Sequence, residues 1–476
     1  MKKNILLITL ACTISTSMAV LEYGGKTYFA LPHFDINRCQ ETALWHTHTT
    51  TDVGNPLGLS LQIIPFVNKA VRTDAIAKQL TYKESATIPI AGDRFNQASD
   101  SVLPYHAIVH NPVLSPPEAS ATLTLNPDFS NIGATFSAFF DAKASCPGVA
   151  FQFHMPLYYT TASLIESGGT RTIEQYFSGT YSQTSPIQDA LTNGLLGKHR
   201  HTVCGPLSIT MRYSLIENDN NYLTVYAGAG ITLKKKPVQT YLFDYHSTAY
   251  DHHKFICGLE AGATVAHFDE VSVEIIAQTN YHYMFGGSEN RIMGLLDDDG
   301  SIPLFSPYLL GAQNTVAGVF PLANVLHQSV QRSGIHQADI AFITAITWQS
   351  LTINLGYELF GRQAERLTLI AWPENTYAIV SPMYATSAPF TNALSTGTFE
   401  TETILLNHRF LTSDMINTNA GASPAQLGCA VTIGAGYNTK LYGFPIGFGA
   451  GMSFENGFNN ATASMIGGWI KGLISF

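Results

Sequence analysis

Residues 254–285 read KFICGLEAGATVAHFDEVSVEIIAQTNYHYMF, and their alternation decides the fold. Phe255, Cys257, Leu259, Ala261, Ala263 and Val265 fall on one side, with Lys254, Gly258, Glu260, Gly262 and Thr264 on the other. After Phe268-Asp269-Glu270 the alternation resumes, with Val271, Val273, Ile275, Ala277, Tyr281, Tyr283 and Phe285 against Ser272, Glu274, Gln278, Asn280 and His282. Successive strand side chains point to opposite faces, so the stretch predicts a hairpin with one apolar and one polar face. Each arm holds about a dozen residues, against about five or six in a globular strand and roughly 9–11 in a tilted strand that crosses a bilayer. The hairpin reads as two staves of a transmembrane barrel.

Working outward, 57–67, 133–142, 149–160, 203–216 and 222–234 alternate in the same way before the hairpin, and 336–348, 351–360, 426–437, 442–454 and 464–476 after it. The expected fold is all-β: a closed antiparallel transmembrane barrel of twelve strands over 57–476, or fourteen if Ala121–Leu125 and Arg366–Ala371 join the wall. Connections at 142–148, 217–221, 268–270, 349–350 and 438–441 are short, as is 455–463. Those at 68–130, 161–202, 235–253, 286–335 and 361–425 are long. Short turns at one end and long loops at the other are what outer-membrane barrels show, with the short side periplasmic. Aromatics gather at both ends: Tyr158, Tyr159, Phe255, Tyr281, Tyr283, Phe285, Phe360 and Phe454 at one, Trp348, Tyr437 and Phe476 at the other. These predict two girdles.

Residues 1–19, MKKNILLITLACTISTSMA, have the form of a signal peptide: Lys2 and Lys3, a short apolar core, and Ser17-Met18-Ala19 as a cleavage site. Leu10-Ala11 before Cys12 leave a lipoprotein signal as the second reading. No later stretch approaches the roughly 18–20 apolar residues of a membrane helix. Charged residues make 12% of the 476, against about 25% in soluble domains, and aromatics reach 11%. A lipid-facing row on every strand explains that balance. The net charge of −9 and the lack of a sustained basic stretch argue against nucleic acid. Cys39, Cys146, Cys204, Cys257 and Cys429 remain after processing, with no CxxC, so neither a disulfide framework nor a zinc site is indicated.

The last strand carries a resemblance. It alternates with Ile470 and Ile474 on one face and stops at Phe476. This resembles the C-terminal signature strand of Gram-negative outer-membrane β-barrels, which the barrel assembly machinery recognises. Lys471 stands where the signature has Gly, with Gly472 beside it, and Ile474 where it has an aromatic. The resemblance implies an outer-membrane location, lipid and the assembly machinery as partners, and leaves room for a homo-oligomer.

Polar residues expected to point inward are Gln62, Gln152, His154, Arg212, Glu260, Glu274, Gln278, Asn280, His282, Asp339, Asn354, Glu358 and Lys471. They predict a pore lining, with the polar core of a plugged barrel as the alternative. Inward glycines concentrate in 426–454, which predicts that a segment packs near Gly443–Gly451: loop 361–425, loop 286–335, or Val20–Pro56, which has no clean period and is expected to be periplasmic or lumenal. His46 and His48, His199 and His201, and Asp244, His246, His252 and His253 read as solvated loop residues. Asp297-Asp298-Asp299-Gly300 lacks the Glu a calcium loop needs, since Ser306 stands there. No cofactor, metal or catalytic set is expected. His267 is placed on the lipid side, and no Ser-His-Asn spacing fits a barrel phospholipase. The reading is a porin-like channel for small hydrophilic solutes, with a structural or adhesive barrel second and a barrel enzyme third. The inward acids Glu260, Glu270, Glu274, Asp339 and Glu358 outnumber Arg212, Lys254 and Lys471, so a conducting lumen is expected to prefer cations.

Overall fold

In the computed structural model, residues 26–30, 38–42, 58–81, 87–91, 120–142, 145–167, 199–218, 220–232, 244–246, 252–296, 310–313, 316–321, 325–379, 410–458 and 462–476 are described. The signal-peptide region, His46 and His48, and Asp297–Gly300 lie outside them. The wall is built from β1 (Leu59–Arg72), β2 (Ser120–Asp141), β3 (Val149–Ser167), β4 (Leu207–Glu217), β5 (Asn221–Ile231) and β6 (Lys254–Phe268). It continues through β7 (Val271–Met284), β8 (Ile335–Trp348), β9 (Leu351–Arg362), β10 (Gln426–Leu441), β11 (Phe444–Gly457) and β12 (Ser464–Ser475). Each strand pairs antiparallel with its sequence neighbours, and β12 pairs with β1 to close the ring. The fold is a closed, up-and-down, twelve-stranded β-barrel.

The alternation that predicts the strands also sorts their faces. On the outward rows Leu355 is 56% exposed, Ile433 56% and Ile470 64%, whereas inward Glu358 is 0%, Thr432 2% and Lys471 2%. A one-residue slip would exchange the two sets, so twelve consistent strands fix the register.

The fourteen-strand alternative does not occur. Residues 121–125 are the start of β2 and not a separate strand. Leu367–Leu369 pairs instead with His327–Arg332, which also pairs with Gly287–Ile292, in a small sheet apart from the wall. The turn expected at 438–441 falls at Tyr442-Gly443, because β10 runs on to Leu441 and the left-handed φ of Tyr442 (49°) and Gly443 (88°) makes the reversal.

Proline sets the other corrections. The stretch 203–216 is broken at Gly205-Pro206, with His199–Cys204 pairing to the upper part of β3 and β4 to its lower part. Pro156 of β3 sits at that same gap, where Gly205 N–H donates to its carbonyl at 2.8 Å. Pro65 of β1 sits where the β12 ladder skips from Ile63 to Phe66. Proline cannot donate to a ladder, and Pro65, Pro156 and Pro206 fall where the ladder pairing is interrupted. In β6 a bulge at Val265 shifts the register, so His267 lies opposite Ser272 of the polar row. The sequence reading had placed it towards lipid.

The glycine-rich wall has a local explanation. A Cβ on Gly434 or Gly451 would lie 2.7 or 2.4 Å from the indole of Trp469, which points inward from β12. Phe360 covers Gly428, and Tyr222 covers Gly262, in the same manner. Inward aromatics fill the space over glycines one or two strands away. The segment expected against Gly443–Gly451 is not found there among the described residues: nothing stands within 4 Å of a Cβ on Gly443, and Gly447 meets Asn438. The inserted part of Val20–Pro56 instead covers Gly356 of β9 and reaches β11 just past these glycines, at Ser453.

Candidate functional site

A short helix, α1 (Arg38–Thr42), lies inside the barrel. Its contact with the wall is made at Gly356 of β9, where a Cβ would come 2.6 Å from Cys39 Cβ. Each residue after Arg38 reaches a different strand. The Cys39 N–H donates to Glu358 of β9 at 3.4 Å, Gln40 to Ser453 of β11 at 2.6 Å, and Thr42 to Gln278 of β7 at 2.9 Å. Glu41 accepts from Gln152 of β3 at 3.1 Å and stands 3.2 Å from His154, while its backbone carbonyl accepts from Lys471 of β12 at 2.7 Å. Val20–Pro56 was expected to be periplasmic or lumenal, and its described helix is lumenal.

Many of the wall residues are bonded to one another around that helix. Arg212 donates to Glu260 at 2.8 Å and to Gln152 at 3.1 Å, and Gln152 hands the connection on to Glu41. Tyr226 donates to Asn280 and, at 2.9 Å, to the Thr279 carbonyl, while the Arg212 guanidinium lies 5.2 Å from its ring. Gln337 donates to Asp339 at 3.3 Å. The residues read as inward therefore do point inward. Gln62, Arg212, Glu260, Gln278, Asn280, His282, Asp339, Asn354, Glu358 and Lys471 are buried, and Gln152, His154 and Glu274 are half-buried. Glu270 is the exception: it sits in the exposed β6–β7 turn, accepting from Trp348 and Gln349.

Ser137 Oγ and Glu41 Oε1 both approach the same ring nitrogen of His154, Nδ1, at 3.3 and 3.2 Å. A relay needs the hydroxyl and the carboxylate on opposite nitrogens. This trio does not have that geometry.

A second polar group was missed by sequence reading. At the long-loop end, Glu289 binds Arg291 at 2.6 Å and Arg332 at 2.8 Å, with His252 at 3.4 Å. Glu365 binds Arg362 at 2.9 Å and Arg291 at 3.4 Å. Tyr28 lies under the Arg291 guanidinium, 3.1 Å from ring centroid to Cζ. Burial alone would raise the Glu289 carboxyl, but Arg291, His252 and Arg332 outweigh it and hold it well below the usual carboxylate range. Glu365 is lowered likewise, by Arg291 and Arg362 against burial. His252 is thus a buried partner and not a solvated loop residue. These groups come from three separate connections, the end of β9 and the segment at Tyr28, which is why no local motif announces them. For α1, five consecutive residues without a strand period gave no more than a hint.

The outside carries no such polarity. Tyr159, Phe255, Phe285 and Phe454 are exposed near the long-loop end, Trp348, Tyr437, Tyr442 and Phe444 near the other. Tyr158 and Phe360, expected in the girdle, are buried on the inward side. An apolar groove of about 620 Å3, lined by outward residues including Leu61, Ile63, Phe136 and Phe153, opens on the same apolar face. Among the described residues no helix is long and apolar enough to cross a membrane. An apolar belt between aromatic girdles, on a ring with no free edge, is a surface made for lipid.

The molecule is a closed β-barrel of the kind that spans a membrane.

No family model matches this barrel, and no curated protein matches it. Among solved structures it is similar to an outer-membrane channel from Pseudomonas putida F1, with a TM-score of 0.35, 7% identity, and 89% of this chain and 98% of that one covered. It is similar also to the transport unit of the autotransporter AIDA-I from Escherichia coli, with a TM-score of 0.33, 7% identity and coverage of 92% and 97%. The CymD monoaromatic hydrocarbon channel gives a TM-score of 0.29, 8% identity and coverage of 97% of both chains. At this distance the likenesses decide nothing about the role of this barrel.

Proposed function

We propose that the protein is an outer-membrane channel for small hydrophilic solutes, closed in the described conformation by α1. The observation that carries this is the lumen itself. Its inward rows are polar and charged on nearly every strand, and they converge on a helix held mainly by hydrogen bonds, with one small apolar cluster of Cys39, Ile276, Ala341 and Ile343 beside them. Such contacts exchange readily for water, each contributing about 0.5–1.5 kcal/mol net, so a polar plug leaves more easily than a packed hydrophobic one. Displacing α1 would leave a passage lined by Arg212, Glu260, Gln278, Asn280, Glu358 and Lys471. Catalysis has no part in this reading.

Planar-bilayer recording tests it. The wild type is expected to stay mostly closed, with rare openings. Glu41→Ala removes the acceptor for Gln152 and the partner of His154, and Gln40→Ala removes the link to β11. The double variant is expected to open at least tenfold more often. A double variant that folds, inserts and remains silent would reject the channel and leave a barrel whose role is to carry its loops.

A further inference from the structure

We infer that the chain passes through its own barrel, so that polypeptide ahead of Lys26 is displayed on the long-loop face, on the opposite side of the membrane from Phe476. This goes beyond the channel reading and does not depend on conductance.

Three groups of residues mark the path. The first is Lys26–Phe29, whose partners all lie beyond the long-loop ends of the wall. Lys26 N–H donates to the Gln79 carbonyl at 3.1 Å, on the helix α2 (Asp74–Thr81) that follows β1. Lys26 Nζ donates to the Asn419 carbonyl and side chain, both at 2.8 Å. Thr27 N–H donates to the Ala420 carbonyl at 3.0 Å, and Thr27 Oγ1 to the Ile292 carbonyl at 2.9 Å. Tyr28–Ala30 then pairs in parallel with Asp244–His246, from the β5–β6 connection. Four separate long connections hold this segment, and each of them lies at the same end.

The second mark is α1, at mid-lumen, bonded to β3, β7, β9, β11 and β12 as described above. The third is Leu59, whose N–H and carbonyl pair with Phe476 at the short-turn end. In chain order the path therefore runs from the long-loop end, through the lumen, to the short-turn end. The lengths allow it. Ten residue steps separate Phe29 from Cys39 and seventeen separate Thr42 from Leu59. At up to about 3.5 Å a step these reach roughly 35 and 60 Å, against a hydrocarbon core of about 30 Å.

A return of the chain ahead of Lys26 through the same lumen is disfavoured by packing. Gln152, Gln278, Glu358, Ser453 and Lys471 of the wall are already bonded to α1 and Arg212 to Glu260, and Gln62, Glu260, Gln278, Glu358 and Lys471 are buried. The buried ions around Arg291 and Tyr28 fix the upper end of the path, because breaking such a pair strands a charge away from water. The lumen's resident occupant is thus a stretch of polypeptide, and the long-loop face presents what precedes it.

Sidedness decides the matter. An epitope is inserted between Gly24 and Gly25, and two thiols mark the faces: native Cys146, exposed in the β2–β3 turn, and Ser413→Cys, exposed in the β9–β10 connection. Each marker is the sole cysteine in its own chain, and folding is checked by heat-modifiable migration in gels. In intact cells, antibody and a membrane-impermeant maleimide should reach the epitope and Ser413→Cys fully, and Cys146 less than one-tenth as well as after lysis. If the insertion spoils folding, a sole cysteine at Glu22→Cys replaces the epitope. A tag or Glu22→Cys that behaves like Cys146, hidden until lysis, would overturn the inference. One that behaves like Ser413→Cys sustains it even if the barrel never conducts.

Discussion

At the scale of single residues, the two faces of a strand obey opposite rules. Ile275 is 45% exposed on the lipid side, and Glu274 beside it turns inward. Ile275→Lys should cost about 2–4 kcal/mol near the bilayer midplane, whereas Glu274→Lys should fold normally. Folding titrations into lipid vesicles measure both, and equal tolerance would mean the faces are reversed. The buried carboxylates at the long-loop end give a pH signature. Glu289 and Glu365 have depressed folded-state values. Their contribution is therefore complete above the unfolded carboxylate value of about 4.3 and fades as pH falls through the lower folded value. Glu289→Gln should lose about 3–5 kcal/mol above pH ~5, and the gap to wild type should narrow in stronger acid. Unfolding midpoints measured across pH would show this, and a gap that widens in acid would contradict it.

At the scale of elements, neighbouring strands depend on one another through glycine and aromatic pairs. Trp469 of β12 occupies the space above Gly434 of β10 and Gly451 of β11. Gly451→Leu must push the indole away and should cost about 1–3 kcal/mol, with a change in tryptophan emission. Gly447→Leu meets only Asn438 and Leu473 and should leave that emission unchanged. The same emission change from both would show that Trp469 is not the neighbour that matters. The prolines act on elements too. Pro65, Pro156 and Pro206 sit at ladder gaps in β1, in β3 and between His199–Cys204 and β4, where their missing donors break no further pairing.

For the whole molecule, the sign of the lumenal charge sets the expected selectivity. Glu260, Glu274, Asp339, Glu358 and Glu455 face inward against Arg212, Lys254 and Lys471 once Glu270 is removed from the set. With α1 displaced by the Gln40→Ala, Glu41→Ala pair, reversal potentials in a salt gradient should show mild cation preference. Anion preference would mean that the loops, not the wall, control the field.

The wall was legible from the chain because its code is local. An alternation of period two needs no knowledge of partners, and all twelve strands, their faces and the short and long ends followed from it. The same alternation failed at Val265, where one extra residue moved His267 to the other side, and at Gly205-Pro206, where a missing donor broke a strand. What fills the barrel was decided only in three dimensions. Cys39 meets Gly356, Glu41 meets Lys471, and Arg291 meets Tyr28 across hundreds of residues of sequence. Such pairs form because closure of the ring brings buried charges and donors together, and away from water each must find a partner or lose its hydration uncompensated. A strand announces its faces to its own neighbours, but a lumen exists only after the last strand has met the first.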